Sequence, residues 1–197
     1  LCVATTFEDG VGQILAVADE MGITVFQGSE DDVLDRFYQA AISTGELPEY
    51  VVRLTADCPL IDPVLIDLCV EKMCELKVDY LSNVLEPKYP DGQDVEIFTF
   101  KALEQAWRNA TAEIEREHVT PYIWLNSDYK GRTEFKSYSF VGDADYNRLR
   151  MTIDYEEDFL MLNHLLKTKG MKCGWLEYAE ELLHNGDLRR INEDFER

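Results

Sequence analysis

Residues 50–63 read Tyr50-Val51-Val52-Arg53-Leu54-Thr55-Ala56-Asp57-Cys58-Pro59-Leu60-Ile61-Asp62-Pro63. Tyr50 to Leu54 has the β-branched and apolar residues of a short strand, and Thr55 to Pro59 ends it. Asp62-Pro63 then opens a helix, since proline fits the first helical position, where its missing N–H has no partner to lose. Leu65, Leu68, Cys69, Met73 and Leu76 follow at helical spacing as the expected inner face. The stretch is therefore strand, turn and helix, with an acidic residue at the strand's C-terminal lip.

The same alternation precedes it. Leu1 to Thr6 is an apolar run expected to be a strand buried on both faces, followed by a helix with Ile14, Leu15, Val17 and Ala18 on one side. Ile23 to Phe26 is the next strand. In Ser29-Glu30-Asp31-Asp32, Ser29 can cap a helix and Asp32 can reach back to complete a capping box. Val33, Leu34, Phe37 and Ala41 then point inward. Strand and helix alternating three times over short connections argue for an α/β fold, a mostly parallel sheet covered by helices on both faces. Ligands of such folds bind beyond the C-terminal strand ends.

Further on, Asp79 to Asn83 and Val95 to Phe100 read as strands around a turn at Tyr89-Pro90-Asp91-Gly92, so the sheet is expected to be mixed. Helices over 101–107 and 115–125, strands over 133–140 and 148–154, and a helix over 156–167 complete the reading. No linker, low-complexity tract or repeat interrupts it, and 197 residues suit one domain at ~150 residues per domain.

Composition removes several function classes. Against 19 Lys and Arg stand 39 Asp and Glu, a net charge of −20. Such a chain repels nucleic acid and anionic lipid unless its basic residues cluster, and no Lys/Arg-rich run exists. Apolar runs are strand-length, far below the ~20 residues that span a bilayer. Five cysteines at 2, 58, 69, 74 and 173, odd in number and without CxxC spacing, read as reduced core residues and favour a cytoplasmic location. Three scattered histidines offer no zinc-ligand spacing.

Two segments share one pattern: Arg53-Leu54-Thr55-Ala56-Asp57 and Arg150-Met151-Thr152-Ile153-Asp154. With side chains alternating at period two, Arg, Thr and Asp share a face in each, and each segment delivers a carboxylate at its C-terminal end. The two carboxylates can meet across one cleft and hold Mg2+, which takes one or two carboxylates together with phosphate oxygens. The same residues have plainer readings. Asp57 before Cys-Pro suits a turn, and Asp154 with Glu157 has capping-box spacing. Arg36 stands at i, i+4 from Asp32, as in an intrahelical ion pair. Periodicity does not choose between these.

Six blocks in order carry a resemblance: Gly28 to Arg36, Thr55 to Pro63, Asp79 to Asn83, Tyr89 to Glu96, Arg116 to Tyr122 and Thr152 to Asp154. Together they resemble the cytidylyltransferases of the spore-coat polysaccharide branch, relatives of the synthetases that make CMP-activated sugar acids. The resemblance implies a three-layer α/β/α nucleotide-diphospho-sugar transferase-like fold with a mostly parallel mixed sheet. It also implies transfer of CMP from CTP to a sugar or sugar acid, with release of pyrophosphate.

Under the resemblance, Asp57 and Asp154 match the metal-binding aspartates for Mg2+, and Arg150 joins them as a counter-charge at the reacting phosphate. Ser29, Arg36, Arg53 and Thr55 are the expected nucleotide-binding residues beside Asp57. Ser82, Asn83, Tyr89, Asp91, Gln93, Glu96, Glu117 and His118 fall in the blocks expected to meet the acceptor. Asp91 with Gly92 also makes a good turn, Ser82 and Asn83 can serve turns, and His118 also reads as a satisfied interior imidazole. A homodimer is expected from the relatives.

The family opens on a strand and a Gln-Ala-Arg…Arg-Leu-Pro-Gly-Lys loop that holds the triphosphate, and this sequence has neither. The expectation is a single domain over 1–197, incomplete at its N-terminal end. Two alternatives remain open: a glycosyltransferase of the same fold using a nucleotide sugar, and a non-catalytic nucleotide or sugar binder.

Overall fold

A computed structural model describes residues 1–43, 45–192 and 195. The elements run β1 (Cys2–Thr5), α1 (Val11–Glu20), β2 (Thr24–Gln27), α2 (Val33–Ser43), β3 (Tyr50–Arg53), α3 (Pro63–Leu76), β4 (Tyr80–Ser82), β5 (Glu96–Thr99), α4 (Phe100–Asn109), α5 (Glu113–His118), α6 (Pro121–Leu125), β6 (Ser137–Ser139), α7 (Glu156–Lys169), α8 (Trp175–His184) and α9 (Gly186–Arg189). Strands β1 and β2 pair in parallel, Cys2 opposite Thr24. A four-stranded sheet has the order β3-β5-β4-β6. There Asn83 N–H donates to the Val95 carbonyl at 3.3 Å and Thr99 N–H to the Asp79 carbonyl at 3.0 Å, so β4 and β5 run antiparallel. The fold is α/β with mixed sheets.

The chain divides into two compact units. The first comprises Leu1–Val51, Val78–Tyr80 and Phe98–Ser137. Its core holds Leu34, Leu103, Ala106, Val119 and Ile123. Tyr38 stacks on Trp107 with ring centroids 4.1 Å apart, joining α2 to α4. The second comprises Val52–Lys77, Leu81–Ile97 and the chain from Tyr138 onward. Leu60, Leu149, Met151, Met161, Leu165 and Leu182 form its core. Fully buried Met161 and Leu165 each contribute about 1.5–3 kcal/mol by leaving water.

Several expectations are corrected. The β1 strand is half-buried rather than buried on both faces. On α1 the buried residues are Val11 and Ala18, while Ile14 and Val17 are exposed. On α3 the inward stripe is Leu65, Cys69 and Met73, and Leu68 and Leu76 lie on the exposed flank. The helix expected over 115–125 is broken at Val119, whose φ of 71° leaves the helical region. There Thr120 N–H closes a tight turn onto the His118 carbonyl at 2.8 Å, a geometry that is strained for a β-branched residue.

Residues 148–154 form no strand. Asp91 N–H donates to the Leu149 carbonyl at 2.9 Å, Met151 N–H to the Asp91 carbonyl at 2.7 Å, and Ile153 N–H to the Asp57 carbonyl at 2.8 Å. Because its partners come from two different segments, the stretch makes only an isolated bridge, Asp91 to Arg150. Helix α8 adds to the expected elements, and Trp175, Tyr178, Ala179 and Leu182 carry its helical period. Among the described residues no helix is long and apolar enough to cross a membrane, and the five cysteines are free thiols.

Candidate active site

The second unit brings the two Arg-x-Thr-x-Asp segments side by side. The Asp57 carbonyl accepts from Ile153 N–H at 2.8 Å and from Thr152 Oγ1 at 3.1 Å. These bonds set the Asp57 backbone against the two residues that precede Asp154, and both aspartates are exposed.

Arg150 anchors the arrangement. Its side chain is only 8% exposed and faces three carboxylates. Nε donates to Asp158 Oδ1 at 2.9 Å and Nη2 to Asp158 Oδ2 at 3.0 Å, a two-point fork. Nη1 reaches Asp91 Oδ2 at 3.1 Å, and Nη2 also donates to Asp154 Oδ2. The hydrogen bonds it donates to Asp158 raise the guanidinium above its usual pKa; burial opposes this, and Asp154 and Asp91 reinforce it. Burial alone would raise the Asp158 carboxyl. The Arg150 guanidinium, the Asp154 and Tyr155 N–H groups and the Asn192 amide outweigh it and hold the pKa at about 2. Three carboxylates around one guanidinium leave two negative charges in excess.

Asp91 reaches this network through a turn in which Gln93 N–H donates to the Pro90 carbonyl at 3.1 Å. Gly92 has φ of 97°, and a Cβ there would stand 2.5 Å from the Met151 carbonyl oxygen. Only glycine fits both the left-handed backbone and the close approach of two chains. Of the two readings of Asp154, the structure does not use it as a cap. Tyr155 takes the position before α7, and Asp158, rather than Glu157, accepts its N–H at 3.1 Å.

The other expected acceptor residues of this unit sit deeper. Gln93 is fully buried, accepting from Asp62 N–H at 3.0 Å and donating to the Leu60 carbonyl at 2.8 Å. Asn83 donates to the Gln93 carbonyl at 2.6 Å and accepts from Val95 N–H at 2.8 Å. Ser82 Oγ accepts from Val84 N–H at 3.0 Å. Glu96 pairs with Arg53 at 2.6 Å, and Thr55 Oγ1 lies 3.1 Å from Cys58 Sγ. Tyr89 packs edge-on against Trp175 with centroids 5.1 Å apart. These groups fix the loops 83–95 and 53–58 from within.

The first unit holds the remaining candidates. Asp32, not Ser29, caps α2, accepting Asp35 N–H at 2.9 Å, while Ser29 Oγ accepts Asp32 N–H at 3.0 Å. The expected Asp32–Arg36 pair does not form, because Asp32 Oδ2 is taken by Arg116 Nη2 at 2.5 Å. Arg36 instead donates to the Ser29 carbonyl, and burial lowers its pKa. Ser29 lines a cavity of about 420 Å³ with Phe7, Glu8, Gly28 and Glu30. Glu117 and His118 are exposed at the end of α5, so His118 is no interior imidazole.

Sequence reasoning missed Asp158 and Asn192. Counting the capping-box spacing from Tyr155 instead of Asp154 would have found Asp158. Asn192, brought in from 34 residues away, has no local signal.

The exposed donors here are of the oxygen type that magnesium takes. Asp57 and Asp154 are exposed, hard oxygen donors on joined segments, and among the described residues no set of three His, Cys, Asp or Glu side chains forms a closed metal cage. An open pair of carboxylates suits an ion that keeps waters and takes phosphate oxygens.

The sequence matches the cytidylyltransferase family model over residues 1–195. The chain belongs to the cytidylyltransferase family. It is 39% identical over 173 residues to the uncharacterized protein MJ1063 of Methanocaldococcus jannaschii, covering 85% of this chain and 65% of that one. It is 30% identical over 176 residues to the spore coat polysaccharide biosynthesis protein SpsF of Bacillus subtilis, covering 86% of this chain and 68% of SpsF. The chain thus spans about two thirds of the length of these relatives. A cytidylyltransferase structure from Leptospira borgpetersenii superposes with a TM-score of 0.87 at 28% identity, covering all of this chain and 79% of that one. The α/β architecture is accordingly that of the nucleotide-diphospho-sugar transferases.

Proposed function

We propose that this cytidylyltransferase-family chain transfers CMP from CTP to a hydroxyl of a sugar or sugar acid, in the synthesis of a surface or spore-coat polysaccharide. The observation that carries the reading is the hydrogen-bonded juxtaposition of the Asp57 and Asp154 segments in a chain of this family. The name of SpsF supports the pathway.

In the reaction the acceptor oxygen attacks the α-phosphorus of CTP, the bond to the bridging oxygen of the β-phosphate breaks, and pyrophosphate leaves while the hydroxyl proton passes to water. Such a transfer depends on positioning and on neutralising phosphate charge. A chain of net charge −20 with two exposed carboxylates at the site repels CTP. Mg2+ held by Asp57 and Asp154 would offset that repulsion and draw charge from the phosphate oxygens. Arg150 keeps Asp154 in place, and the Asp57 carbonyl, through Thr152 and Ile153, holds the two segments together.

The test is pyrophosphate release by the full-length protein with CTP, Mg2+ and a panel of sugars and sugar acids. Release with at least one acceptor is expected, abolished by a chelator and reduced about a hundredfold or more by Asp57→Asn. No release across the panel, or turnover of an intact nucleotide sugar without use of CTP, overturns the proposal.

A further inference from the structure

Asp154 is half-exposed, at 48%, and an exposed aspartate has several rotamers to choose from. What restrains this one lies behind it. Its backbone N–H donates to Asp158 Oδ2 at 3.0 Å, and its carboxylate accepts from Arg150. Arg150 in turn has its plane fixed by the fork onto Asp158, which is fully buried. Asp158 Oδ1 also accepts from Asn192 Nδ2 at 2.8 Å. Asn192 is 4% exposed and comes from the segment after α9. Phe195, from the same segment, stacks on Tyr155 at 4.1 Å, beside Asp154.

We infer that Asp158 and Asn192 are positioning residues that set, through Arg150 and the Asp154 peptide, where the Asp154 carboxylate stands. They meet no substrate atom themselves. Asp158 gathers hydrogen bonds from Arg150, Asn192 and the Asp154 and Tyr155 N–H groups onto one carboxylate, so Asn192 reaches Asp154 through Asp158 while Arg150 bonds it directly. Removing the Asn192 amide leaves Asp158 Oδ1 with Arg150 alone, so the fork can tilt and carry the Asp154 carboxylate with it. Groups standing behind a metal ligand in this way typically govern metal affinity by 10–100-fold. The inference rests on the reading that Asp154 holds the ion, so one of its readouts is independent of metal.

The experiment compares wild type, Asn192→Ala and Asp154→Asn in the full-length protein. Amide hydrogen exchange is measured without metal, and Mn2+ affinity by electron paramagnetic resonance. In Asn192→Ala, exchange at the Asp154 and Tyr155 amides is expected to accelerate about tenfold relative to the α8 amides, with about tenfold weaker Mn2+ binding. The Mg2+ concentration for half-maximal activity should rise by more than kcat falls. Asn192→Asp, which sets a carboxylate against Asp158, should be worse than Asn192→Ala, whereas a packing role would rank this near-isosteric change the milder. Unchanged exchange at 154 and 155 in a folded Asn192→Ala overturns the inference. If Asp154→Asn leaves Mn2+ binding untouched, the metal reading falls, while the exchange comparison still decides the positioning role.

Discussion

Arg150 and Arg36 are both arginines that the family resemblance assigns to the nucleotide site, and the protein treats them oppositely. In the second unit Arg150 is enclosed by Asp91, Asp154 and Asp158, so its charge is already answered and what it supplies is geometry. In the first unit Arg36 meets the Ser29 carbonyl instead of a carboxylate, because Arg116 has taken Asp32. Its Nε is buried without a hydrogen bond, and burial lowers its pKa. Of the two, Arg36 is the one that no carboxylate among the described residues pairs with. An arginine's role is therefore decided by which carboxylates reach it first.

Arg150→Met is the severest way to break this contrast. It strands the buried Asp158 carboxylate without its cation, and loss of about 3–5 kcal/mol of stability is expected in urea unfolding. Gly92→Ala attacks the same network from the backbone, forcing a Cβ against Met151 at positive φ. A cost of about 2–3 kcal/mol is expected by the same measurement.

Acid tests the network without mutation. The Asp158 pKa is depressed to about 2, so its contribution is complete above the unfolded carboxyl value near 4 and is lost as pH falls toward 2. About 2 kcal/mol should disappear over that window, and Asp158→Asn should flatten this part of the stability profile. A stability curve with no inflection between pH 4 and 2 would show that Asp158 does not carry the network. The smallest effect is expected of Arg36→Met, within about 1 kcal/mol, since Met keeps the apolar stem and the carbonyls it leaves are near solvent. A loss as large as that of Arg150→Met would erase the contrast.

The early elements were legible because each carries its own period. Strands β1 to β3 and helices α1 to α3 follow local patterns, and Asp62-Pro63 marks the start of α3 outright: Asp62 accepts Val64 N–H at 2.8 Å. Residues 148–154 misled because a strand-like pattern records alternation and not the partner. Their backbone bonds go to Asp57 and Asp91, far away in sequence. The pairing of the Asp57 and Asp154 segments accords with their shared Arg-x-Thr-x-Asp pattern, although neither aspartate ends a strand, since β3 stops at Arg53 and 148–154 form none. Asp158 lay within reach of a corrected count. Asn192 contributes only through a contact 34 residues long, which no local window contains.

Cys58 adds a chemical selectivity to this picture. Its thiol lies 3.4 Å from an Asp57 carboxylate oxygen, and burial, with smaller contributions from Asp57 and Asp94, pushes its pKa up to about 12. At neutral pH the Cys58 thiol is therefore protonated, and a protonated thiol is a poor nucleophile. Thiol reagents are accordingly expected to modify the exposed Cys74 well before the buried Cys58 beside Asp57.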